Sequence, residues 1–269
     1  MTDTGSNGNG GHRADLERAA NAPPPKRVIS DSLAKPLAKR FYKAATVSGS
    51  APFQILLDGR PVKTPKKQAL AVPTRALAEA IAAEWQAQNE FVDPSRMPLT
   101  RFANTAIDAV SETMDAVAND ILAYAGSDLV CYRAETPDEL VVRQSQAWNP
   151  VIAWADNALH ATFRAVPGVM HVPQPSEALA AVAEALKPHD AFRLTGLHVL
   201  TTLMGSALLT LSLARGAISP DIAWADAHVD EDYQISLWGE DAEAAARRRG
   251  RRAEFDAAYR WLTLLAPSP

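Results

Sequence analysis

The sequence predicts an α+β protein: a small antiparallel β-rich N-terminal domain followed by an all-helical C-terminal domain. Three observations lead there. Period-two alternation of apolar residues is confined to the stretch from Phe41 to Val72. A strong tight-turn pair, Asp58-Gly59, sits inside that stretch. After Pro73 the apolar residues recur at helical spacing, punctuated by cap-forming Thr, Ser and Asp and by terminating Gly and Pro.

In the run FQILLD, Phe53, Ile55 and Leu57 alternate and lead into the turn. Leu70 and Val72 alternate again in KTPKKQALAVP, so these segments pair around a hairpin. Thr74 is placed to cap a helix in which Leu77, Ile81 and Trp85 share one stripe. Further helices are expected over Leu99–Tyr124, with breaks allowed, and over Asp138–Phe163. Ser176 opens a short helix, Asp190 a long apolar one ending at Arg215-Gly216, and Ser219-Pro220 one that closes at Gly239. Glu240-Asp241 begin the last helix, where their charge suits the helix dipole. The expected organisation is a disordered tail over 1–40, a β-rich domain with helices over 41–130, and a helical domain over 131–269.

The chain has 269 residues, of which 47% are hydrophobic, enough to build a large core. Its net charge of -4 supplies no field that would draw it to nucleic acid. One cysteine, Cys131, excludes an internal disulfide framework and a multi-thiolate metal site, and reads as a small core residue of a reducing compartment. Residues 1–40 are rich in Gly, Asn and Pro and too polar to offset their own ordering entropy. They contain no apolar stretch of the secretory kind, and Asp3, Asp15 and Glu17 interrupt the basic pattern of a mitochondrial presequence. The uncharged run from Leu194 to Ala214 is about as long as a bilayer is thick. Its many Thr, Ser and Gly residues and its lack of flanking cation clusters point instead to a buried bundle helix.

No phosphate-binding glycine loop, zincin helix or nucleophile elbow is present, and each histidine lacks a metal-ligand partner at helical spacing. No cofactor, metal or small-molecule substrate is therefore expected. Two basic features stand out: Arg60, Lys63, Lys66 and Lys67 about the hairpin, and the run Arg247, Arg248, Arg249, Arg251 and Arg252. Either is able to bind phosphate or an acidic partner. The arginine run has Glu243, Glu254 and Asp256 near it, so a solvated helix face is the favoured reading.

Treated as one helix, Pro220–Gly239 gathers Ile222, Val229, Tyr233 and Leu237 on a face directed to the core. Trp224, His228, Glu231, Ile235 and Trp238 fall on the opposite face. Two readings stand for that second face. It meets a binding partner, or it lies inside the bundle with Glu231 satisfied internally.

The segments LDGRPVKTPKKQALAVPT, LAEAIAAEWQAQ and MPLT are similar to the N-terminal domain of the ATP synthase F1 complex assembly factor 2 family. SDLVCYRAETPDELVVRQSQAWNPVIAWA continues the resemblance, and DEDYQISLWGED, from Asp230 to Asp241, resembles that family's closing signature. The resemblance spans about 41–265. It implies a two-domain chaperone without catalytic activity that binds the free alpha subunit of F1 and passes it to the assembling hexamer. It further implies that Glu231, with Asp230 as its neighbour, is the acidic residue the family depends on, and that Trp85 is a position needed for function. Trp224 and Trp238, on the face shared with Glu231, are candidate aromatic anchors. Neither nucleic acid nor membrane insertion belongs to this picture. A bacterial member works in the cytoplasm, its eukaryotic relatives in the mitochondrial matrix. The competing class is a small hydrolase-like enzyme with a site around Glu231 and His228.

Overall fold

Hydrogen bonding along Phe53–Leu57 organises the sheet of the molecule, for which a computed structural model describes residues 37–266. Strand β1 (Ala45–Val47) pairs antiparallel with β2 (Phe53–Leu57), with Ala45 opposite Leu57 and Val47 opposite Ile55. The other edge of β2 is shared by β3 (Arg60–Pro61) and β4 (Ala71–Val72), both antiparallel to it. Asp58 and Gly59 both have positive φ, 48° and 80°, the backbone that a two-residue hairpin of right-handed twist requires. Ile55 and Leu57 point into the core, as their alternation with Gln54 and Leu56 predicts.

Ten α-helices follow among the described residues: α1 (Arg75–Gln86), α2 (Pro98–Asp108), α3 (Met114–Gly126), α4 (Asp138–Leu159) and α5 (Ser176–Leu186). The remaining five are α6 (Ala191–Met204), α7 (Ala207–Ala214), α8 (Pro220–Ala227), α9 (Val229–Trp238) and α10 (Ala242–Leu265). A short parallel pair joins β5 (Tyr132–Arg133) to β6 (Val166–Pro167) across α4. Period-two reading gives no signal for segments of two residues.

Thr74 caps α1 as expected, accepting from the Leu77 N–H, and its hydroxyl donates to the Leu264 carbonyl at the far end of the chain. Glu84 on α1 caps α2. Its carboxylate accepts from the backbone N–H groups of Leu99 and Thr100, both at 2.8 Å, and from the Thr100 hydroxyl at 2.7 Å. Burial raises the Glu84 pKa and these bonds oppose the rise. The segments EWQAQ and MPLT are thus joined by one side chain. Glu84→Ala leaves the first turn of α2 without its acceptor and is expected to cost about 1–3 kcal/mol, read as a lower urea midpoint at unchanged slope.

The long apolar helix expected over 190–215 is two helices. Gly205 takes φ of +68°, ending α6, and Ser206 starts α7 by accepting from the Leu209 N–H. A glycine followed by a capping serine supplies a stop and a start at once. Among the described residues no helix is long and apolar enough to cross a membrane. The run is buried instead: residues 207–213 all lie in the interior, and α6 packs against α10, α3 and α2. At the α6–α10 crossing a Cβ on Gly196 would stand 2.7 Å from Cδ1 of Trp261, so only glycine permits that approach. Trp261 cannot retreat, because its indole N–H is bonded to the Phe192 carbonyl and its ring lies against Phe102 and Phe192.

The helix expected over 220–239 also breaks, at His228, whose backbone leaves the helical region. A helical wheel drawn through a break mixes two orientations, and the face assignment is corrected accordingly. Ile222 and Leu237, expected in the core, are about half exposed. Trp224 and His228, on the second face for which both a partner and the bundle interior are open readings, are buried, so the interior reading holds for these two.

The described residues from Lys39 on form a compact unit, the second of two into which the chain divides. The expected disorder of the tail lies, for residues 1–36, outside the described residues. Arg40, expected in that tail, is instead held in the second unit. Its guanidinium donates to the carbonyls of Tyr42, Lys43, Gln86 and Gln88. Within that unit one hydrophobic cluster runs from Ile55 and Val72 through α1 and α2 to Trp148, Leu197 and Trp261. Asp108 on α2 accepts from the Thr64 hydroxyl and the Lys66 N–H, tying the loop between β3 and β4 to the helices. A division into domains over 41–130 and 131–269 remains our proposal, with that core common to both segments.

Candidate functional site

The first turn of α9 carries three carboxylates, Asp230, Glu231 and Asp232, favourably placed at the positive end of the helix dipole. Each meets different surroundings. Asp230 accepts from Nε2 of Gln144 on α4 at 2.7 Å, and Gln144 in turn accepts from the Ala134 N–H. Asp232 pairs with Arg248 of α10. Glu231 has the His228 Nε2 as its nearest cationic candidate, at 4.0 Å, beyond hydrogen-bonding distance.

His228 is not a useful cation. Its Nδ1 donates to the Trp224 carbonyl at 2.7 Å, closing α8, and its ring lies against the Trp224 ring with centroids 3.9 Å apart. Burial pulls its pKa below the usual imidazole value, so the ring is neutral at pH 7 and Nε2 is bare and without a hydrogen-bond partner. Glu231 is therefore left without a cationic partner in hydrogen-bonding reach among the described residues, with its side chain 38% exposed.

Glu231 lines a groove of about 180 Å³ with Gln234, Ile235, Trp238 and Arg248. Trp238, at the C-terminal end of α9, is 82% exposed, and Leu237 beside it is 51% exposed. The exposed indole and the neighbouring carboxylate place apolar area and a charge side by side on one surface. The structure brings Glu231 and Trp238 together here. Asp230 faces a separate cleft of about 610 Å³ with Arg133 and Gln144. Trp224, only 7% exposed, packs on Phe255 and is out of reach of a partner. Trp85 lies elsewhere, half-buried against Tyr42.

The arginine run is more structural than a solvated face. Arg248 reaches Asp232 on α9, Arg252 reaches Asp221 on α8, and Arg251 donates to the Leu203 carbonyl near the end of α6. Only Arg247 to Glu243 and Arg252 to Asp256 are the expected same-helix pairs. Cys131 is fully buried and its thiol is pushed up to about 12 by burial and by Asp128, which makes it chemically quiet. No cluster of three metal-ligating side chains occurs among the described residues.

A groove that sets an exposed aromatic beside the carboxylates Glu231 and Glu240 has the make-up of a protein-binding surface rather than of a catalytic site. The model of the ATP12 chaperone protein family matches residues 39–156. The crystal structure of Atp12 from Paracoccus denitrificans aligns with TM-score 0.81 at 43% identity, covering 85% of this chain and 99% of that one. A proposed chaperone from Agrobacterium tumefaciens aligns with TM-score 0.83 at 46% identity, covering 94% of this chain and 96% of that one. An aspartate-to-lysine variant of the Paracoccus protein aligns at 0.81 and 42%, covering 85% of this chain and 98% of that one. The chain belongs to the ATP12 chaperone family, the ATP synthase assembly-factor family whose motifs its sequence resembles. Its role is that of a chaperone in ATP synthase assembly.

Proposed function

We propose that the chain binds the free alpha subunit of the F1 head through the α9 groove, holds it, and yields it to the assembling hexamer. The observation that carries this reading is the pairing of an uncompensated Glu231 with the exposed Trp238 in one groove. An unassembled subunit exposes apolar faces that aggregate. Trp238 and Leu237 offer apolar area to cover such a face, and Glu231 offers a charge for a basic group at its edge. Release needs no nucleotide, because the native neighbour displaces the chaperone by mass action.

Within this reading Asp230 supports the groove from behind through Gln144, and Trp224 sets the orientation of α9 through His228. Neither makes the contact itself. A hydrolase-like site around Glu231 and His228 is the weaker reading. His228's proton is committed to the Trp224 carbonyl, and no Ser, Thr, Cys or Lys lines the groove. We place the protein in the bacterial cytoplasm, in keeping with its single, buried, unreactive thiol.

The direct test is light scattering of purified alpha subunit with and without the chaperone. Trp238→Ser is expected to leave the melting temperature within a degree or so, since the side chain is exposed. It should weaken capture by about 2 kcal/mol or more, as removal of a tryptophan anchor does. Full protection by this variant would remove the α9 groove from the contact.

A further inference from the structure

We infer that the cleft between the β2–β3 hairpin and the end of α1 is a second docking surface, for an acidic protein segment that carries an apolar anchor. Arg40 pins the chain here through four backbone carbonyls, which fixes the neighbouring Phe41 and Tyr42 in place. Tyr42 is buried, donates its hydroxyl to the Trp85 carbonyl at 2.6 Å, and meets the Trp85 ring edge-on. Phe41 stands edge-on to Tyr42 with centroids 5.4 Å apart, yet is 74% exposed. These three rings, with Leu57 and Val62, bound a cleft of about 590 Å³. Trp85 keeps its indole N–H buried with no acceptor among the described residues. A buried donor left without a partner is unusual in a folded protein.

The charge at the rim has one sign to offer. Arg60 and Lys63 line the cleft, and neither makes an ion pair among the described residues. Lys66, just beyond, is already paired with Glu112. The one acid of the cleft, Asp58, accepts from the backbone N–H groups of Lys43 and Ala44, which hold its carboxylate below the usual range. It organises the hairpin and does not answer the two cations. Unpaired cations over an aromatic floor complement carboxylates flanking a hydrophobic side chain. A nucleic acid is the poorer match, because a chain of net charge -4 with two rim cations neutralises few phosphates.

The surface is distinct from the α9 groove: the two share no lining residue. A chaperone with both grips one partner by two chemistries, acid-to-base at α9 and base-to-acid at the hairpin.

The test uses fluorescence anisotropy on the full chain with a labelled peptide of repeating Leu-Asp-Glu. The controls are the same peptide with lysine for each acid, the same peptide with serine for each leucine, and a labelled thymidine oligonucleotide. The acidic leucine peptide is expected to bind, more weakly as salt rises, and both control peptides and the oligonucleotide to bind at least about tenfold less. The double variant Arg60→Glu/Lys63→Glu and the single variant Phe41→Ala should each lower affinity about tenfold or more. Their melting temperatures should hold, because all three side chains are exposed. Trp238→Ser should bind the peptide as wild type does, which separates this surface from the α9 groove. No binding of the acidic peptide, equal binding of any control, or wild-type affinity in both cleft variants would overturn the inference.

Discussion

Asp128→Ala is expected to lose about 1–3 kcal/mol of stability, the range for leaving buried hydrogen-bond donors without their acceptor. Asp128 is fully buried, and its carboxylate accepts from the Val130 N–H at 3.3 Å and the Leu208 N–H at 3.0 Å, with the Ser206 side chain also bonded to it. It serves two elements at once, the turn that begins at Leu129 and the first turn of α7. Alanine strands those donors in a dry interior. The wild type shows a pH signature of the same group. Burial raises its pKa from 3.8 to about 6, against the opposing hydrogen bonds. Between those values the folded state holds a proton that the unfolded state has released, so stability falls as pH rises through this window and levels off above it. The shift corresponds to an upper bound of about 3 kcal/mol. Asp226, half-buried and likewise raised to about 6, adds a smaller change of the same sign. Urea midpoints at intervals from pH 4 to pH 7 check both statements. A variant as stable as the wild type, or one with an undiminished slope against pH, contradicts this account of Asp128.

Glu231→Lys is expected to fold and to fail at its task. The side chain is more than one-third exposed and has no hydrogen-bonding partner to lose. Its loss from the first turn of α9 removes a favourable dipole interaction worth about 0.3–1 kcal/mol, so the melting temperature should drop only slightly. Capture of the alpha subunit should weaken by about 2–5 kcal/mol, since the partner's cation then meets a like charge. The same purified variant gives both readings, a denaturation midpoint and the suppression of alpha-subunit aggregation. An unfolded variant would mean that Glu231 is an internal structural carboxylate. A stable variant with full protective activity would remove Glu231 from the contact. The aspartate-to-lysine variant of the Paracoccus protein retains the same fold similarity to this chain as the unaltered protein, TM-score 0.81 for both. A charge reversal at an acidic position is thus tolerated in that relative.

Local chemistry determined much of this protein from sequence. The hairpin follows from Asp58-Gly59, because only a few residue types accept positive φ at both turn positions. The cap at Thr74 and the start of α8 at Ser219-Pro220 depend on residues within a turn of one another. The family followed from the order of such local motifs along the chain. Where two helices replace one, the sequence held the signal too, since Gly205-Ser206 is a stop next to a start. Hydrophobic continuity across it masked the break, because both halves are buried.

Tertiary structure decided what each side chain faces. His228 breaks the helix at 228 by donating to the Trp224 carbonyl, and that rotation buries Trp224 while turning Leu237 outward. A helical wheel carries no information across such a break. The partners that set Asp230 and Asp232 apart from Glu231 lie on α4 and α10, as far as 86 residues away in the case of Gln144. The cleft of Phe41, Tyr42 and Trp85 depends in the same way on Arg40 reaching carbonyls 46 and 48 residues on. Periodicity tells which residues share an element, but a carboxylate's role is set by the donors that reach it through space, and those are chosen only when the elements pack.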